Sequence, residues 1–185
     1  MRRISVLVFL LVVCLTRAMH GQTPAPKPDP EFQKLQALVG RWMFNGEYKP
    51  GAWGPGSKIT GEYTGRFILK GFAFEGRTVE RSAEGETRFL EIDAYDPVKK
   101  KITFSVRSDV GTGYSGAITI AGRTITWAGT VAAAGREYGV KEALEISGDH
   151  VSATAKAQIS TDGKMWMPYF EGKFRKVEPV AKSGR

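Results

Sequence analysis

A succession of short alternating segments constrains this fold more than any other feature of the sequence. Along each segment apolar and polar residues alternate, as they do in a β-strand that buries one face. The segments end at residues that favour tight turns, such as Asp96-Pro97, Ala121-Gly122 and Asp162-Gly163. They recur about every ten residues without a helical pattern between them, which favours an antiparallel sandwich or up-and-down barrel over a parallel sheet.

The alternation predicts about ten strands. The first covers residues 42–48, the second covers 59–70, and a third begins at Phe72. The later predicted strands cover residues 88–95, 101–107, 114–120, 123–131, 136–147, 151–160 and 166–176. Before them, apolar residues recur with helical spacing between Phe32 and Val39, so we expect a short N-terminal helix that covers one end of the sheet.

The N-terminal residues have the pattern of a secretion signal. Met1-Arg2-Arg3 precedes an apolar run that is shorter than the roughly 20 residues needed to span a bilayer. We predict a signal peptide over 1–22, a Pro-rich linker over 23–30, one barrel domain over 31–177 and a basic disordered tail over 178–185. The protein is then periplasmic or secreted, with no transmembrane segment. The only cysteine, Cys14, lies in the signal peptide, so no disulfide is expected.

The two ends of the predicted sheet resemble the barrel closure of lipocalins and the wider calycin group. Gly40-Arg41-Trp42 opens the first strand, and Gly172-Lys173-Phe174-Arg175-Lys176 ends the last. The resemblance implies that Gly40 and Trp42 start a closed barrel and that a basic residue of the last strand covers the Trp42 ring. Arg175, or alternatively Lys173, is expected there, since a cation over an indole stabilises by about 0.5 to 2 kcal/mol. We therefore predict an all-β, antiparallel up-and-down lipocalin-like barrel.

A closer resemblance runs from about Phe32 to Val177. Its motifs are Leu38-Val39-Gly40-Arg41-Trp42, Gly51-Ala52-Trp53-Gly54-Pro55-Gly56, Ile68-Leu69-Lys70-Gly71-Phe72, Tyr95-Asp96-Pro97-Val98-Lys99 and Asp162-Gly163-Lys164-Met165-Trp166. In this order they resemble an uncharacterised bacterial calycin-like family, domain of unknown function 1579. The resemblance implies the barrel fold and supplies no activity. The related heme-binding nitrobindins use a histidine on a late strand, whereas His150 falls in a predicted turn, so no heme or other cofactor is expected.

One position on the predicted inner faces is not apolar. Glu142 lies in the middle of the apolar face of strand 136–147, and a buried carboxylate must be paired, raised in pKa, or hydrated. The next strand presents small residues at Ala153, Ala155 and Ala157, beside an interior that is otherwise aromatic. A small-residue wall can leave a cavity there, with Glu142 as its polar group. The predicted ligand-binding residues are Tyr63, Tyr114, Trp127, Tyr138 and Glu142.

Other placements of Glu142 stay open at this point. It can lie at the barrel mouth, pair with Arg107 or Arg136, or face outward if a bulge shifts the strand register by one residue. Three functions follow from these possibilities. The first is binding of a small apolar ligand inside the barrel, the second is an isomerase, cyclase or lyase that uses Glu142 as acid or base, and the third is a structural envelope protein.

Several site chemistries are disfavoured by the composition. One histidine outside the signal peptide and no cysteine cannot supply a zinc site, and no Asp-rich calcium loop is present. His150 is the only candidate for a catalytic histidine, and its turn position disfavours that role, so no catalytic residue is assigned. The net charge of +8 includes a basic tail without interleaved aromatic residues, so no nucleic-acid partner is predicted.

Overall fold

The computed structural model describes residues 26–51, 54–133 and 135–177. The predicted signal peptide over 1–22, the start of the linker and the predicted basic tail over 178–185 lie outside the described residues. Within these ranges, no helix has the length and apolar character needed to cross a bilayer.

The described residues form a closed barrel of ten antiparallel strands, which confirms the all-β, up-and-down fold. Each strand pairs with the strand before and after it in sequence, and β1 pairs with β10 to close the barrel. The strands are β1 (Gly40–Tyr48), β2 (Ser57–Ile68), β3 (Ala73–Ser82), β4 (Gly85–Asp96), β5 (Lys101–Ser108), β6 (Gly113–Ala121), β7 (Thr124–Ala133), β8 (Arg136–Ile146), β9 (Ser152–Ser160) and β10 (Met167–Val177). Closure leaves no unpaired sheet edge in this ring of strands.

A short N-terminal helix covers one end of the barrel. It begins as α1 (Pro30–Gln33) and continues as a 3₁₀ segment over Lys34–Leu38. The sequence predicted a helix here, and the structure shows that more than half of it is wound as the tighter 3₁₀ form. The side chain of Asp29 caps α1 by accepting a hydrogen bond of 2.8 Å from the backbone N–H of Glu31. Phe32, Leu35 and Leu38 are buried. Their spacing of three residues matches the 3₁₀ period, which aligns them as one apolar ridge that plugs the barrel.

Trp42 lies directly under this plug. Its side chain is 2% exposed, and its indole Nε1 donates a hydrogen bond of 3.2 Å to the backbone carbonyl of Leu38. The preceding Gly40 has a φ of +116°, a backbone conformation that favours glycine where the chain turns from the 3₁₀ segment into β1. The predicted start of the barrel at Gly40 and Trp42 therefore corresponds to the observed junction.

The cation over Trp42 is Lys176, and the prediction of Arg175 is wrong. Trp42 is paired with Lys176 across β1 and β10, whereas Met43 is paired with Arg175. The Lys176 Nζ lies 5.2 Å from the Trp42 ring centroid, and Arg175 is exposed on the outer face. Because side chains alternate between faces with a period of two, a shift of one residue decides which of the two cations reaches the ring. The alternative Lys173 is paired with Asn45 and is also exposed.

Candidate ligand-binding site inside the barrel

Side chains do not fill the interior of the barrel. A cavity of about 310 Å³ extends from Leu38 and Trp42 at the plug to Tyr48 and Glu80 at the other ends of β1 and β3. Ten of the described residues that line it are aromatic. This volume lies at the lower end of the about 300 to 1,000 Å³ that small-molecule sites occupy.

Glu142 lines this cavity from β8. It lies opposite Trp127 on β7 and Ala157 on β9, and the register is continuous on both sides, so no bulge turns it outward. The β9 wall beside it is formed by the buried Ala153, Ala155 and Ala157. These short side chains leave the space that Glu142 borders. Glu142 is half-buried and lines the cavity wall.

The surroundings of Glu142 disfavour its charged form. Burial is the main cause, and the negative charges of Glu91 and Glu80 add to it, so that the pKa of Glu142 rises to about 7. Neither arginine considered from the sequence pairs with it among the described residues. The Arg107 Nη1 donates to the backbone carbonyl of Val106 at 2.7 Å, and Arg136 is exposed at the start of β8.

Two further carboxyl groups line the cavity, and the sequence analysis did not find them. Glu80 on β3 accepts hydrogen bonds from the Tyr48 hydroxyl at 3.1 and 3.2 Å, and burial raises its pKa to about 7. Glu91 on β4 accepts a hydrogen bond of 2.7 Å from the Trp127 Nε1, and burial raises its pKa also. Three carboxyl groups on three different strands therefore face one aromatic cavity.

A fourth carboxyl group lies deeper than the cavity lining. Asp93 follows Glu91 on the inner face of β4, between Phe74 on β3 and Phe104 on β5. It is 0% exposed, and no conventional hydrogen-bond donor of the described residues reaches either carboxylate oxygen. Its hydrogen-bonding neighbour is the Glu91 carboxyl, with which it can share a proton. Burial, with the charge of Glu91 as a second cause, raises the pKa of Asp93 far above its ordinary value. These surroundings favour the protonated form of Asp93.

A signal for Glu91 and Asp93 exists in the sequence, although it is weak. Both lie on the same face of β4 as Phe89 and Tyr95, two aromatic residues that pack against the core. The opposite parity carries Leu90 and Ile92, so apolar character alone assigns β4 to the wrong face. Leu90 is in fact 39% exposed. Glu80 has the same ambiguity, because Val79 precedes it.

The structure brings together four of the five predicted lining residues. Tyr63, Tyr114, Trp127 and Glu142 all border the cavity. Burial, and then the charges of the interior carboxyl groups, raise the pKa values of Tyr63 and Tyr114 well above 10.0, so both remain protonated hydroxyls at neutral pH.

Tyr138 does not line the cavity, contrary to the prediction. It is 2% exposed and packs in a separate cluster with Val140 and Ile159. Tyr138 shares the face of Glu142 but lies four residues away along β8, about 13 Å at the rise of a strand. The alternation along β8 therefore correctly predicted that Tyr138 is buried, but it did not show how far along the strand the cavity extends. The predicted turn position of His150 agrees with the structure, where it is exposed between β8 and β9.

A family model described as "Protein of unknown function (DUF1579)" matches residues 27–176. The chain belongs to this family. Its match includes all the strands that build the cavity up to Lys176, and the family description assigns no activity. No curated protein matches the chain in sequence.

One solved structure supports the barrel fold of this DUF1579 member, and two others match it less well. The crystal structure of Rv2717c from M. tuberculosis is 14% identical with a TM-score of 0.60, covering 82% of this chain and 100% of that chain. A de novo designed fluorescence-activating β-barrel is 14% identical with a TM-score of 0.42, covering 78% of this chain and 98% of its own. The S-type phycobiliprotein lyase CPES from Guillardia theta is 10% identical with a TM-score of 0.40, covering 81% of this chain and 93% of its own. At 14% identity the likeness to Rv2717c concerns the fold alone.

Proposed function

We propose that this protein is an exported binding protein that holds a small, mostly apolar molecule inside its barrel. The observation that carries the proposal is Glu142, a carboxyl group without a protein partner among the described residues, on the wall of an aromatic cavity. Export is proposed from the N-terminal sequence pattern. The cavity supports binding because it combines a large apolar wall with a few polar groups, as small-molecule sites do.

The unfilled interior of the barrel lowers the stability of the folded protein. Protein interiors are close-packed, and a cavity loses dispersion contacts on every side. A carboxyl group without a partner adds a further cost. Residues that lower stability in this way are typical of functional sites, where a ligand supplies the missing contacts.

Native mass spectrometry of the protein purified from a bacterial periplasm tests the proposal. We expect a co-purified small molecule on the wild-type protein that Glu142→Gln loses. Glu145→Gln is the matched control, because Glu145 lies on the same strand and is exposed on the outer face. A bare mass for the wild-type protein contradicts binding, and an adduct that Glu142→Gln retains in full contradicts a role of Glu142 in holding the molecule.

A second candidate function is acid–base catalysis of the isomerase, cyclase or lyase type. The observation that favours it is that Glu80 and Glu142 line one cavity and both have pKa values raised to about 7. A group with a pKa near the working pH transfers protons most effectively. If a molecule that co-purifies is converted on the protein, turnover should disappear in Glu142→Gln while Glu145→Gln keeps it. Unchanged turnover in Glu142→Gln contradicts this role.

A further inference from the structure

We infer that the molecule held in the barrel is an organic cation, namely a small amine in its ammonium form on an apolar body. This inference rests on the proposed function, since it names the charge of the molecule that occupies the same cavity. Its support comes from the distribution of charge, the use of hydrogen-bond donors and the aromatic walls.

The first step is the sign of the charge inside the barrel. Glu80, Glu91 and Glu142 line the cavity, and the described lining residues include no lysine, arginine or histidine. The ion pairs of the described residues lie on the outer face, for example between Arg41 and Glu62 at 2.6 Å. A basic protein thus concentrates carboxyl groups in its interior without a cation beside them. A bound anion would face three carboxyl groups and no cation of the described lining residues, which disfavours carboxylate ligands.

The second step is the use of donors within the cavity. The Tyr48 hydroxyl donates to Glu80, and the Trp127 Nε1 donates to Glu91. No hydrogen bond or ion pair to Glu142 is found within the described ranges, although the residue is half-buried and lines the cavity. A purely apolar ligand would leave Glu142 without a partner. An ammonium group, which has up to three donors and a positive charge, would satisfy it.

The third step is the aromatic surroundings of Glu142. Trp127 is its direct neighbour across the β7–β8 ladder. The charge of Glu142 also acts on the hydroxyl of Tyr114 on β6, one strand further along the wall. Ring faces attract cations, and aromatic cages are used to recognise ammonium ligands. A carboxylate beside such rings suits an ammonium head, while the rest of the aromatic wall suits an apolar body. Within the described part of the chain, no three acidic or histidine side chains are grouped as metal ligands, so we assign the charge to an organic cation.

The charge of the ligand makes its binding dependent on pH. Glu142 faces Glu80 on β3, Glu91 on β4, and the hydroxyls of Tyr48, Tyr114 and Tyr169 on β1, β6 and β10. The tyrosines stay neutral, so the carboxyl groups are the groups that titrate. An ammonium ion replaces the protons that Glu142 and Glu80 hold below their pKa of about 7. Amine affinity should therefore rise as the pH increases through 7, while the affinity of a neutral ligand should stay constant or fall.

Three probes that share a phenylethyl body test this inference on the full-length processed protein. They are 2-phenylethylamine, 2-phenylethanol and 3-phenylpropanoate, measured by calorimetric titration at about pH 6 and pH 8. We expect the amine to bind about 10- to 100-fold more tightly than the alcohol at the higher pH, the range expected for a charge-assisted hydrogen bond. Glu142→Gln should remove this preference, and Glu145→Gln should keep it. The comparison of probes on the wild-type protein does not depend on how either variant folds.

The outcomes separate this inference from the proposed function. If the alcohol binds as tightly as the amine, or the carboxylate binds best, the cation inference is wrong and the binding function stands. If none of the three probes binds, the result counts against both. If magnesium chloride alone reproduces the heat of amine binding and Glu142→Gln abolishes that heat, the occupant is a metal ion, and the amine assignment is overturned.

Discussion

The two halves of the barrel interior are built on the same alternation of inward and outward side chains, but one half is filled by side chains and the other encloses a cavity. The plugged half contains Phe32, Leu35, Leu38, Trp42 and Phe74, all of them buried apolar side chains in contact. The cavity half contains Tyr48, Glu80, Glu91, Trp127 and Glu142 around open space. The strands of the ring run through both halves, so architecture does not explain the difference. The difference arises from which side chains point inward in each half.

The plugged half contributes most to stability, whereas the cavity half contains the proposed binding site. Apolar burial stabilises by about 25 cal/mol per Å², so the plugged half holds the ring closed. The cavity half lowers stability through unfilled volume and carboxyl groups with raised pKa values. Asp93 lies next to both halves and is the polar exception beside Phe74.

The largest effect should come from the plugged half. Trp42→Ala should lower the free energy of unfolding by about 3 to 5 kcal/mol, because it leaves a cavity and removes the contacts with Leu38 and Lys176. Urea unfolding measures the change. Trp166→Ala is the matched control, since Trp166 packs under Lys141 on the outside of the barrel and should cost clearly less. Equal losses in the two variants would contradict the division into two halves.

In the cavity half, replacing Glu142 should raise the free energy of unfolding instead of lowering it. The Glu142 pKa is raised from 4.5 to about 7, so the folded state binds more protons than the unfolded state between these values. Its contribution to stability is complete below about pH 4.5 and is lost as the pH rises to about 7. Glu142→Gln should therefore be more stable than wild type by about 3 kcal/mol at pH 8, with no gain at pH 4.

Urea unfolding of ligand-free protein at the two pH values checks this result. Glu145→Gln should show no such pH-dependent gain, because Glu145 is exposed. A Glu142→Gln variant that is less stable than wild type at pH 8 would show that Glu142 has a stabilising partner when ionised.

Asp93 lies between the plugged half and the cavity half, and replacing it should also change stability. Asp93→Leu replaces a buried carboxyl group, whose hydrogen-bonding neighbour among the described residues is another carboxyl group, that of Glu91, by an apolar side chain of similar size. It should raise the free energy of unfolding by about 1 to 3 kcal/mol, the cost of an unsatisfied buried polar group. Thermal and urea unfolding measure the gain. A loss of stability would mean that Asp93 makes a compensating interaction in solution.

The smallest expected effect concerns the cation at the plug. Lys176→Gln should lower stability by about 0.5 to 1 kcal/mol, because it removes the ammonium that lies over the Trp42 ring. Arg175→Gln is the control and should be neutral, since Arg175 is exposed one residue away. If Arg175→Gln is the more costly change, the register between β1 and β10 in solution places Arg175, not Lys176, over the ring.

Most of the fold could be predicted because it depends on local patterns. Alternation with turn residues between the segments predicted the strands, and the observed bounds of β5, 101–108, differ from the predicted 101–107 by one residue. The plug was predicted from the spacing of Phe32, Leu35 and Leu38. The error at Arg175 was one of strand face. Phe170 and Phe174 point into the barrel and alternate in step with Lys176, whereas Arg175 lies on the opposite face of the strand.

The candidate site could be predicted in part. Glu142 stood out because it interrupts an apolar face, and Ala153, Ala155 and Ala157 marked the wall beside it. Glu80 and Glu91 were missed because Val79, Leu90 and Ile92 give the outward faces of their strands apolar character. A polar residue among apolar neighbours is visible in one strand, whereas a polar cluster from three strands is visible only after the strands are assembled.

The sequence by itself determined the strands, their antiparallel order and the aromatic character of the interior, because a period of two and turn chemistry act within about ten residues. Only the tertiary structure decided that Glu80, Glu91 and Glu142 meet in one cavity, that Tyr138 does not reach it, and that Lys176 covers Trp42. The physical reason is barrel closure. Closure fixes the register of every ladder and brings residues of distant strands together at distances that no local pattern encodes.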